Sequence, residues 1–178
     1  MRAPEFWSGG GGIAPILLAP FAAAYAAATA RRVARPGWRA PVPVICCGNA
    51  TAGGAGKTTV ALDLGQRLLN RGIGAHFLIR GYGGRVKGPE RVDPAQHDST
   101  AVGDEALLLA ARAPTWVGAD RAATAHRAID AGAQVLVLDD GLQNPTLAKD
   151  LSLLVVDGGY GFGNGRVIPA GPLREPVA

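Results

Sequence analysis

The stretch GNATAGGAGKTT, residues 48–59, decides the fold, because it joins a cluster of glycines to a Gly-Lys-Thr end. A phosphate-binding P-loop is written as Gly, four residues, Gly-Lys, and then Ser or Thr. Counting back from Gly56, the first glycine should stand at residue 51, where this chain has Thr51. The stretch is therefore a damaged P-loop, a chance glycine cluster, or a P-loop of a particular kind.

The flanking sequence supports a working P-loop. An apolar run at 42–49 predicts a strand before the loop, and helical spacing of apolar residues at 58–72 predicts a helix after it. In such a loop, consecutive backbone N–H groups point at phosphate oxygens at the positive end of the helix dipole. Replacing the first glycine changes the entry to the loop and leaves its phosphate-facing part intact, so we favour a P-loop over chance.

The chain after residue 40 alternates apolar runs with helical segments. Strands are predicted at 75–80, 115–118, 134–141 and 151–159, and helices at 103–113 and 119–132. The last two strands are expected to be buried, because their sequences are apolar throughout. Apolar strands separated by helices predict an α/β fold, a P-loop NTPase-like parallel sheet flanked by helices.

Composition limits the possible functions. The chain has 178 residues, of which 48% are hydrophobic and 18% charged, so it can form one domain with an appendage. Its net charge of +4 weakly favours anionic partners. Cys46 and Cys47 are neighbours on a strand and are expected to be buried thiols, and the three histidines lack zinc-ligand spacing.

An uncharged segment of eighteen residues lies near the start, at 13–30, and is interrupted by Pro20. As a helix it would be about 27 Å long, slightly under a bilayer core. Its large side chains form one stripe at i, i+4 spacing, namely Ile13, Leu17, Phe21 and Tyr25. The arginines Arg31, Arg32, Arg35 and Arg39 follow it, which predicts that the rest of the chain is cytoplasmic.

Three interpretations of this segment stay open: a helix on or in the inner face of a membrane, a single span, and a helix buried on the domain. We favour the first, a membrane-associated helix. The predicted division is a hydrophobic helix with a basic flank at 1–40 and a nucleotide-binding kinase domain at 41–178. Nucleic-acid binding is not expected, because the basic residues cluster beside the apolar segment and lack interleaved aromatic residues.

Asp139 and Asp140 lie near the end of the predicted strand at 134–141. An acidic residue at the end of a buried strand is the usual second half of a P-loop site, where it orients Mg²⁺ directly or through water. The alternative is a carboxylate that only caps the following loop. Guanine specificity is not indicated, because TLAKD at 146–150 lacks the required spacing and precedes its strand.

Several further motifs occur in a characteristic order: RGYGGR, VGDEALLLA, VGADR, DDGLQN and GFGNGRVIPAGPLREP. With the glycine loop they resemble the N-terminal portion of the tetraacyldisaccharide 4′-kinase family, whose P-loop also begins with threonine. The resemblance implies an enzyme on the cytoplasmic face of the Gram-negative inner membrane, peripheral or singly anchored. It would transfer the γ-phosphate of ATP, with Mg²⁺, to the 4′-hydroxyl of a tetraacylated disaccharide 1-phosphate, forming lipid IVA in lipid A biosynthesis.

The resemblance also implies roles for individual residues. The ATP phosphates would be bound by Thr51, Ala52, Gly53, Gly54, Ala55, Gly56, Lys57 and Thr58. The catalytic residues would be Asp104, as the base, with Lys57 and Asp139. The metal ligands would be Thr58, Asp139, Asp140 and Glu105, although Asp104 and Glu105 also suit a helix N-terminus. The substrate residues would be Arg80, Arg85, Arg121 and Gln143. Further candidates in the glycine-rich terminal stretch are Arg166, Arg174 and Glu175. An ordinary surface position is the alternative for each of the first three arginines.

Family members are about twice as long as this chain, so a smaller C-terminal domain is expected to be missing, and the fragment is expected to bind ATP but to turn over poorly or not at all. The expected partners are the lipid disaccharide and the inner-membrane surface, with no nucleic acid and no obligate protein partner. Two rival interpretations are another P-loop ATPase or GTPase and a non-catalytic, membrane-bound nucleotide-binding fragment.

Overall fold

The described part of the chain contains a six-stranded sheet. A computed structural model describes residues 3–9 and 12–177. The strands are β1 Val44–Gly48, β2 Ala75–Ile79, β3 Glu90–Arg91, β4 Thr115–Val117, β5 Val135–Asp139 and β6 Leu151–Leu154, in the spatial order β3-β4-β2-β5-β1-β6. Strands β4, β2, β5 and β1 are parallel, and β3 pairs antiparallel with β4. The predicted α/β fold with a parallel sheet is confirmed.

Helices cover both faces of this sheet. They are α3 Lys57–Leu69, α4 Ser99–Val102, α5 Asp104–Ala110 and α6 Arg121–Asp130. Strands β2, β4 and β5 are buried at every position, which is the expected state of a strand between two helical layers. One core layer joins Ala61 of α3 and Leu109 of α5 to Phe77, and the other joins Ala125 of α6 to Leu78.

Two strands differ from the prediction. β6 was expected to be buried, but Leu151 is 51% and Leu154 is 47% exposed, so that part of the prediction is wrong. The reason is position, because β6 lies at the edge of the sheet beside β1. β3 was not predicted, because its two residues, Glu90 and Arg91, are charged and exposed and carry no apolar signal.

The apolar N-terminal segment forms two helices, α1 Ala14–Leu17 and α2 Ala19–Val33, which meet at Leu18. Each helix has a proline in its first turn, where a missing N–H group costs no hydrogen bond, so Pro20 is accommodated as the second residue of α2 and does not kink a longer helix. The large side chains of the predicted stripe are exposed, with Leu17 at 65% and Phe21 at 66%. The buried residues of these two helices are Pro15, Ala22 and Thr29, so the large stripe is not their buried face.

Among residues 3–9 and 12–177, none of the helices has both the length and the hydropathy that crossing a membrane requires. Association of this segment with a membrane surface remains a prediction.

The chain divides into two compact units. One contains Met1–Arg35, Asn49–Gly56 and Leu154–Ala178, and includes α1, α2 and the glycine loop, a name used here for residues 49–56. The other contains Pro36–Gly48 and Lys57–Leu153, and includes strands β1 to β5 with helices α3 to α6.

Candidate functional site

A buried carboxylate and a hydroxyl meet where β5 ends. Asp139, the last residue of β5, is 1% exposed, and its Oδ2 accepts a hydrogen bond of 2.8 Å from Oγ1 of Thr58. Thr58 lies in the first turn of α3. The second oxygen, Oδ1 of Asp139, is buried and has no hydrogen-bond partner among the described residues. Because an unpaired buried carboxylate oxygen is costly, this atom is a candidate ligand for a metal ion.

The charges around Asp139 come from the other predicted site residues. Burial is the main cause that raises the pKa of Asp139 from 3.8 to about 6, and the negative charges of Glu105 and Asp140 raise it further. The hydrogen bond from Thr58 and the positive charge of Lys57 act in the opposite direction. Four of the residues predicted from sequence therefore influence one carboxylate, which is mostly ionised at neutral pH.

Asp140 turns the chain at the end of β5 and faces Lys57. Its Oδ2 lies 3.9 Å from Nζ of Lys57, the first residue of α3, whose side chain is only 12% exposed. Among the described residues Asp140 is the one non-glycine residue with a positive φ, 57°, a conformation that aspartate tolerates better than most residues. Its backbone N–H donates to the carbonyl of Cys47 at 2.9 Å, which holds this turn against β1.

These groups fit Mg²⁺ better than a transition metal. They offer oxygen atoms from Thr58, Asp139 and Asp140, which are the hard ligands that Mg²⁺ prefers. The part of the chain that the structure describes has no group of three or more His, Cys, Asp or Glu side chains able to hold a metal ion. Mg²⁺ needs only one or two protein carboxylates, because waters and nucleotide phosphates complete its coordination.

The conformation of the glycine loop shows why threonine can stand at residue 51, where the P-loop pattern has its first glycine. Thr51 forms an antiparallel bridge with Leu173, and its φ is not positive, so this position does not require a glycine. Nδ2 of Asn49 lies 3.2 Å from both Oγ1 of Thr51 and the carbonyl of Gly53. Beyond this fixed entry, an added Cβ at Gly53, Gly54 or Gly56 would meet nothing within 4 Å. The entry is thus anchored, and the glycine part is open to a ligand.

Asp104 and Glu105 are the first two residues of α5, and both are exposed. Gly103 precedes them with a φ of 88°, and a Cβ there would lie 2.7 Å from the carbonyl of Tyr82. The loop at 80–85 therefore packs backbone against backbone on the start of α5. This contact brings a predicted base and a predicted arginine loop into one neighbourhood.

The three predicted substrate arginines differ in environment. Arg80 and Arg85 are exposed, whereas Arg121 is 2% exposed and donates from Nη1 to the carbonyl of Gly118. Burial is the first cause that lowers the pKa of Arg121 to about 10, and the charge of Arg80 lowers it further. Arg121 is therefore a fixed internal cation and not a surface arginine.

We expect Gly84→Ala to destabilise the protein, because an added Cβ would lie 2.6 Å from the carbonyl oxygen of Ala101. Forcing an atom into such a contact costs about 2 kcal/mol, or a fall of roughly 4–8 °C in Tm. Thermal unfolding followed by circular dichroism measures this. Gly88→Ala is the matched control, because its Cβ would meet nothing within 4 Å, and an equal Tm loss in both variants would contradict the close-packing argument.

Some site features could not be read from the motifs. Asn49 was not predicted, although a polar residue at the end of a strand and next to a glycine loop is a usable signal. Gln143 lies half-buried after β5, and Arg166, Arg174 and Glu175 lie in the other unit, in the segment that pairs with the glycine loop. The roles of all these residues remain predictions.

Comparison with known proteins gives a consistent result. The family model described as tetraacyldisaccharide-1-P 4′-kinase matches residues 14–178. A tetraacyldisaccharide 4′-kinase of Gluconacetobacter diazotrophicus is 68% identical over 100% of this chain and 55% of its own length. One of Rhodospirillum centenum is 66% identical over 100% of this chain and 54% of its own length. The chain thus spans about half the length of the curated relatives it matches.

A solved structure is also similar. It is the crystal structure of the "apo" form of LpxK from Aquifex aeolicus in complex with ATP, with a TM-score of 0.77 and 30% sequence identity. The similarity covers 91% of this chain and 54% of that one.

Proposed function

Because the chain belongs to the tetraacyldisaccharide-1-P 4′-kinase family, we propose that it transfers the γ-phosphate of ATP to the 4′-hydroxyl of a tetraacylated disaccharide 1-phosphate. The observation that carries this proposal is the pairing of Thr58 with Asp139 and of Lys57 with Asp140 at the start of α3 and the end of β5. Phosphoryl transfer needs a cation, a hydroxyl and acidic residues placed around the phosphates. These four side chains have the required chemistry.

The proposed reaction breaks the bond between the γ-phosphorus and its bridging oxygen, with ADP as the leaving group, and forms a bond to the 4′-oxygen. The backbone of residues 51–56 binds phosphate oxygens, and the ammonium group of Lys57 binds the β- and γ-phosphates. Asp104 accepts the proton of the 4′-hydroxyl. Mg²⁺, when bound, neutralises charge on the phosphates, and Thr58, Asp139 and Asp140 would hold it with support from Glu105.

The arginines and Gln143 complete the proposal. Arg80 and Arg85 are exposed on a loop that packs on the start of α5, so they can bind the 1-phosphate of the substrate or the transferring group. Arg121 cannot reach solvent from its 2% exposure, and we assign it to the positive potential beside Asp139 and Asp140. Gln143, next after Leu142 in the turn that follows β5, is assigned to substrate orientation.

We further propose that α1 and α2 lie on the cytoplasmic face of a bacterial inner membrane. Ile13, Ile16, Leu17 and Phe21 are each more than 60% exposed, an apolar surface that is unusual at a water interface. Arg31, Arg32 and Arg35 follow at the end of α2, and each basic residue near an anionic surface contributes about 1 kcal/mol. A lipid substrate would reach the site from that surface.

Replacing both Leu17 and Phe21 with serine is expected to weaken vesicle binding by at least about 100-fold. Each large apolar side chain contributes about 1.5–3 kcal/mol when it leaves water. Sedimentation with vesicles of phosphatidylethanolamine and phosphatidylglycerol measures the effect. Leu108→Ser is the control, because Leu108 is 59% exposed on α5 and does not belong to the stripe. Equal binding by the double variant and the control would contradict docking through α1 and α2.

The function is tested with radiolabelled ATP and the tetraacylated disaccharide 1-phosphate in detergent micelles. This chain and any longer form of the protein that contains it should both be assayed, with and without Mg²⁺. Label in a lipid bisphosphate supports the kinase, and label in this chain alone also shows that the matched half suffices. Nucleotide binding without transfer by either protein would favour a non-catalytic binding module, and absence of nucleotide binding would overturn the proposal.

A further inference from the structure

A short segment, residues 164–174, joins the N-terminal residues to the glycine loop inside one compact unit. Its first residue, Asn164, donates from Nδ2 to the carbonyls of Phe6 and Ala170, each at 2.9 Å. Its Oδ1 accepts from the N–H of Arg166 at 3.0 Å, so both ends of the amide are in use. The backbone N–H of Asn164 also donates to the carbonyl of Trp7 at 2.8 Å.

Trp7 makes the reciprocal connection. It lies in a short 3₁₀ helix, Glu5–Ser8, and its indole N–H donates to the carbonyl of Pro169 at 3.1 Å. Each segment thus donates a hydrogen bond from one of its side chains to a backbone carbonyl of the other segment. The bonded residues are more than 150 positions apart in the sequence. A pair of side-chain to backbone contacts of this kind fixes the position of both segments and not only their proximity.

The far end of the same segment holds the entry of the glycine loop. Ala52 donates its N–H to the carbonyl of Pro172 at 2.7 Å, and Arg174 donates its N–H to the carbonyl of Ala50 at 2.6 Å. Thr51, between them, forms a bridge with Leu173, which is 2% exposed. The loop entry is therefore one strand of a small pairing whose other strand is the 164–174 segment.

The segment also borders α2. Arg166, Val167 and Ala170 line a cavity of about 220 Å³ together with four alanines of that helix: Ala19, Ala22, Ala23 and Ala26. One piece of backbone thus contacts the 3₁₀ helix, the helix with the exposed apolar stripe, and the entry of the glycine loop. The 164–174 segment therefore connects the proposed membrane surface to the entry of the glycine loop.

We propose that Asn164 is a positioning residue that couples membrane docking to nucleotide binding. Docking fixes the N-terminal residues, Asn164 transmits that constraint to the 164–174 segment, and the segment holds residues 50–52 in the conformation that binds phosphate. Vesicle binding and ATP binding then reinforce each other, and by thermodynamic linkage the effect is mutual. This inference rests on the proposed function only in requiring that the chain binds ATP and a membrane.

The test measures the affinity for a fluorescent ATP analogue with Mg²⁺, with and without saturating vesicles of phosphatidylethanolamine and phosphatidylglycerol. For the unaltered chain we expect a Kd at least about 5-fold lower with vesicles, the lower end of typical coupling. Asn164→Asp keeps the shape and the acceptor but loses both donors, and Trp7→Phe loses the indole N–H while keeping an aromatic ring. Both variants should keep their vesicle-free Kd within about 3-fold and lose the vesicle effect.

Asn70→Asp is the matched control, since Asn70 is exposed and its side chain only accepts a hydrogen bond from the side chain of Gln66, and it should keep the full vesicle effect. Trp7→Phe keeps the test decisive if Asn164→Asp folds poorly. A retained vesicle effect in both variants would overturn the role of Asn164, and no vesicle effect in the unaltered, vesicle-bound chain would overturn the coupling. Failure of the unaltered chain to bind nucleotide at all would instead overturn the proposed function, and this inference with it.

Discussion

Lys57→Met is expected to lower kcat/KM for phosphoryl transfer by about 10³-fold, the typical loss when a cation aimed at transferring phosphate is removed. Methionine keeps the length and apolar stem of lysine, so the change removes the charge and little volume. Lys57 is suited to this role because its ammonium is largely shielded, with 12% side-chain exposure, and is held towards Asp140 at 3.9 Å. The measurement is a steady-state assay of label transfer to the lipid.

The fold should survive this substitution. The ion pair with Asp140 is long and half-exposed on the acidic side, so its loss is expected to cost no more than about 1 kcal/mol. Lys87→Met is the matched control, because Lys87 is exposed and donates only to the carbonyl of Gly84. A fall in activity that is equal in the two variants would show that charge at position 57 has no special part in the reaction.

Asp139→Asn is expected to lower activity by at least about 100-fold, because it removes charge from the carboxylate that we assign to Mg²⁺. The amide can still accept the hydrogen bond from Thr58 through its oxygen, so the local packing is kept. It cannot replace the buried Oδ1 as an anionic ligand. Raising the Mg²⁺ concentration should recover part of the lost activity, and a variant with unaltered Mg²⁺ dependence would contradict the assignment.

The same variant is expected to be more stable than the original chain at pH 7.5. Burial raises the pKa of Asp139 from 3.8 to about 6, so the folded protein holds its proton more tightly than the unfolded chain does. The ionised carboxylate therefore costs stability above about pH 6, the cost shrinks as the pH falls towards 4, and it vanishes below. Asparagine avoids this cost, which amounts to roughly 1–3 kcal/mol.

Urea unfolding of both proteins at pH 7.5 and pH 4, with EDTA present, measures this difference. The stability advantage of Asp139→Asn should be present at pH 7.5 and absent at pH 4. A variant that is less stable than the original chain at pH 7.5 would show that the carboxylate stabilises the fold, contrary to its burial and its unpaired oxygen. Loss of activity together with a gain in stability is the combination expected of a residue kept for function.

The central fold was predictable because its strands carry strong local signals. β2 and β5 are apolar at nearly every position, and helical segments followed by Gly72 and Gly132 alternate with the strands, so the order of the elements implied a parallel sheet. β3 was missed, because two charged residues pair with β4 through backbone groups that leave no sequence pattern. The burial of β6 was overestimated, because an apolar strand has the same sequence pattern at the edge of a sheet as at its centre.

The site was predictable only where the fold places strand ends together. Lys57 and Thr58 start α3, Asp139 ends β5, and β1 and β5 are neighbours, so a parallel sheet brings them to one edge. The burial of Arg121 has no local signal, since arginine in the first turn of a helix is usually exposed. The roles of Asn164 and Trp7 could not be predicted either, because each side chain donates to a backbone carbonyl near the opposite end of the sequence.

Cys46 and Cys47 provide a natural reporter of how often the sheet opens. Both thiols are 0% exposed, and burial raises their pKa values to about 11 and about 12, so they hold almost no reactive thiolate at pH 8. They are the only two cysteines of the chain, and β1, which carries them, lies between β5 and β6. The rate at which the two thiols are alkylated in native buffer therefore measures how often this part of the sheet opens, without any engineered label.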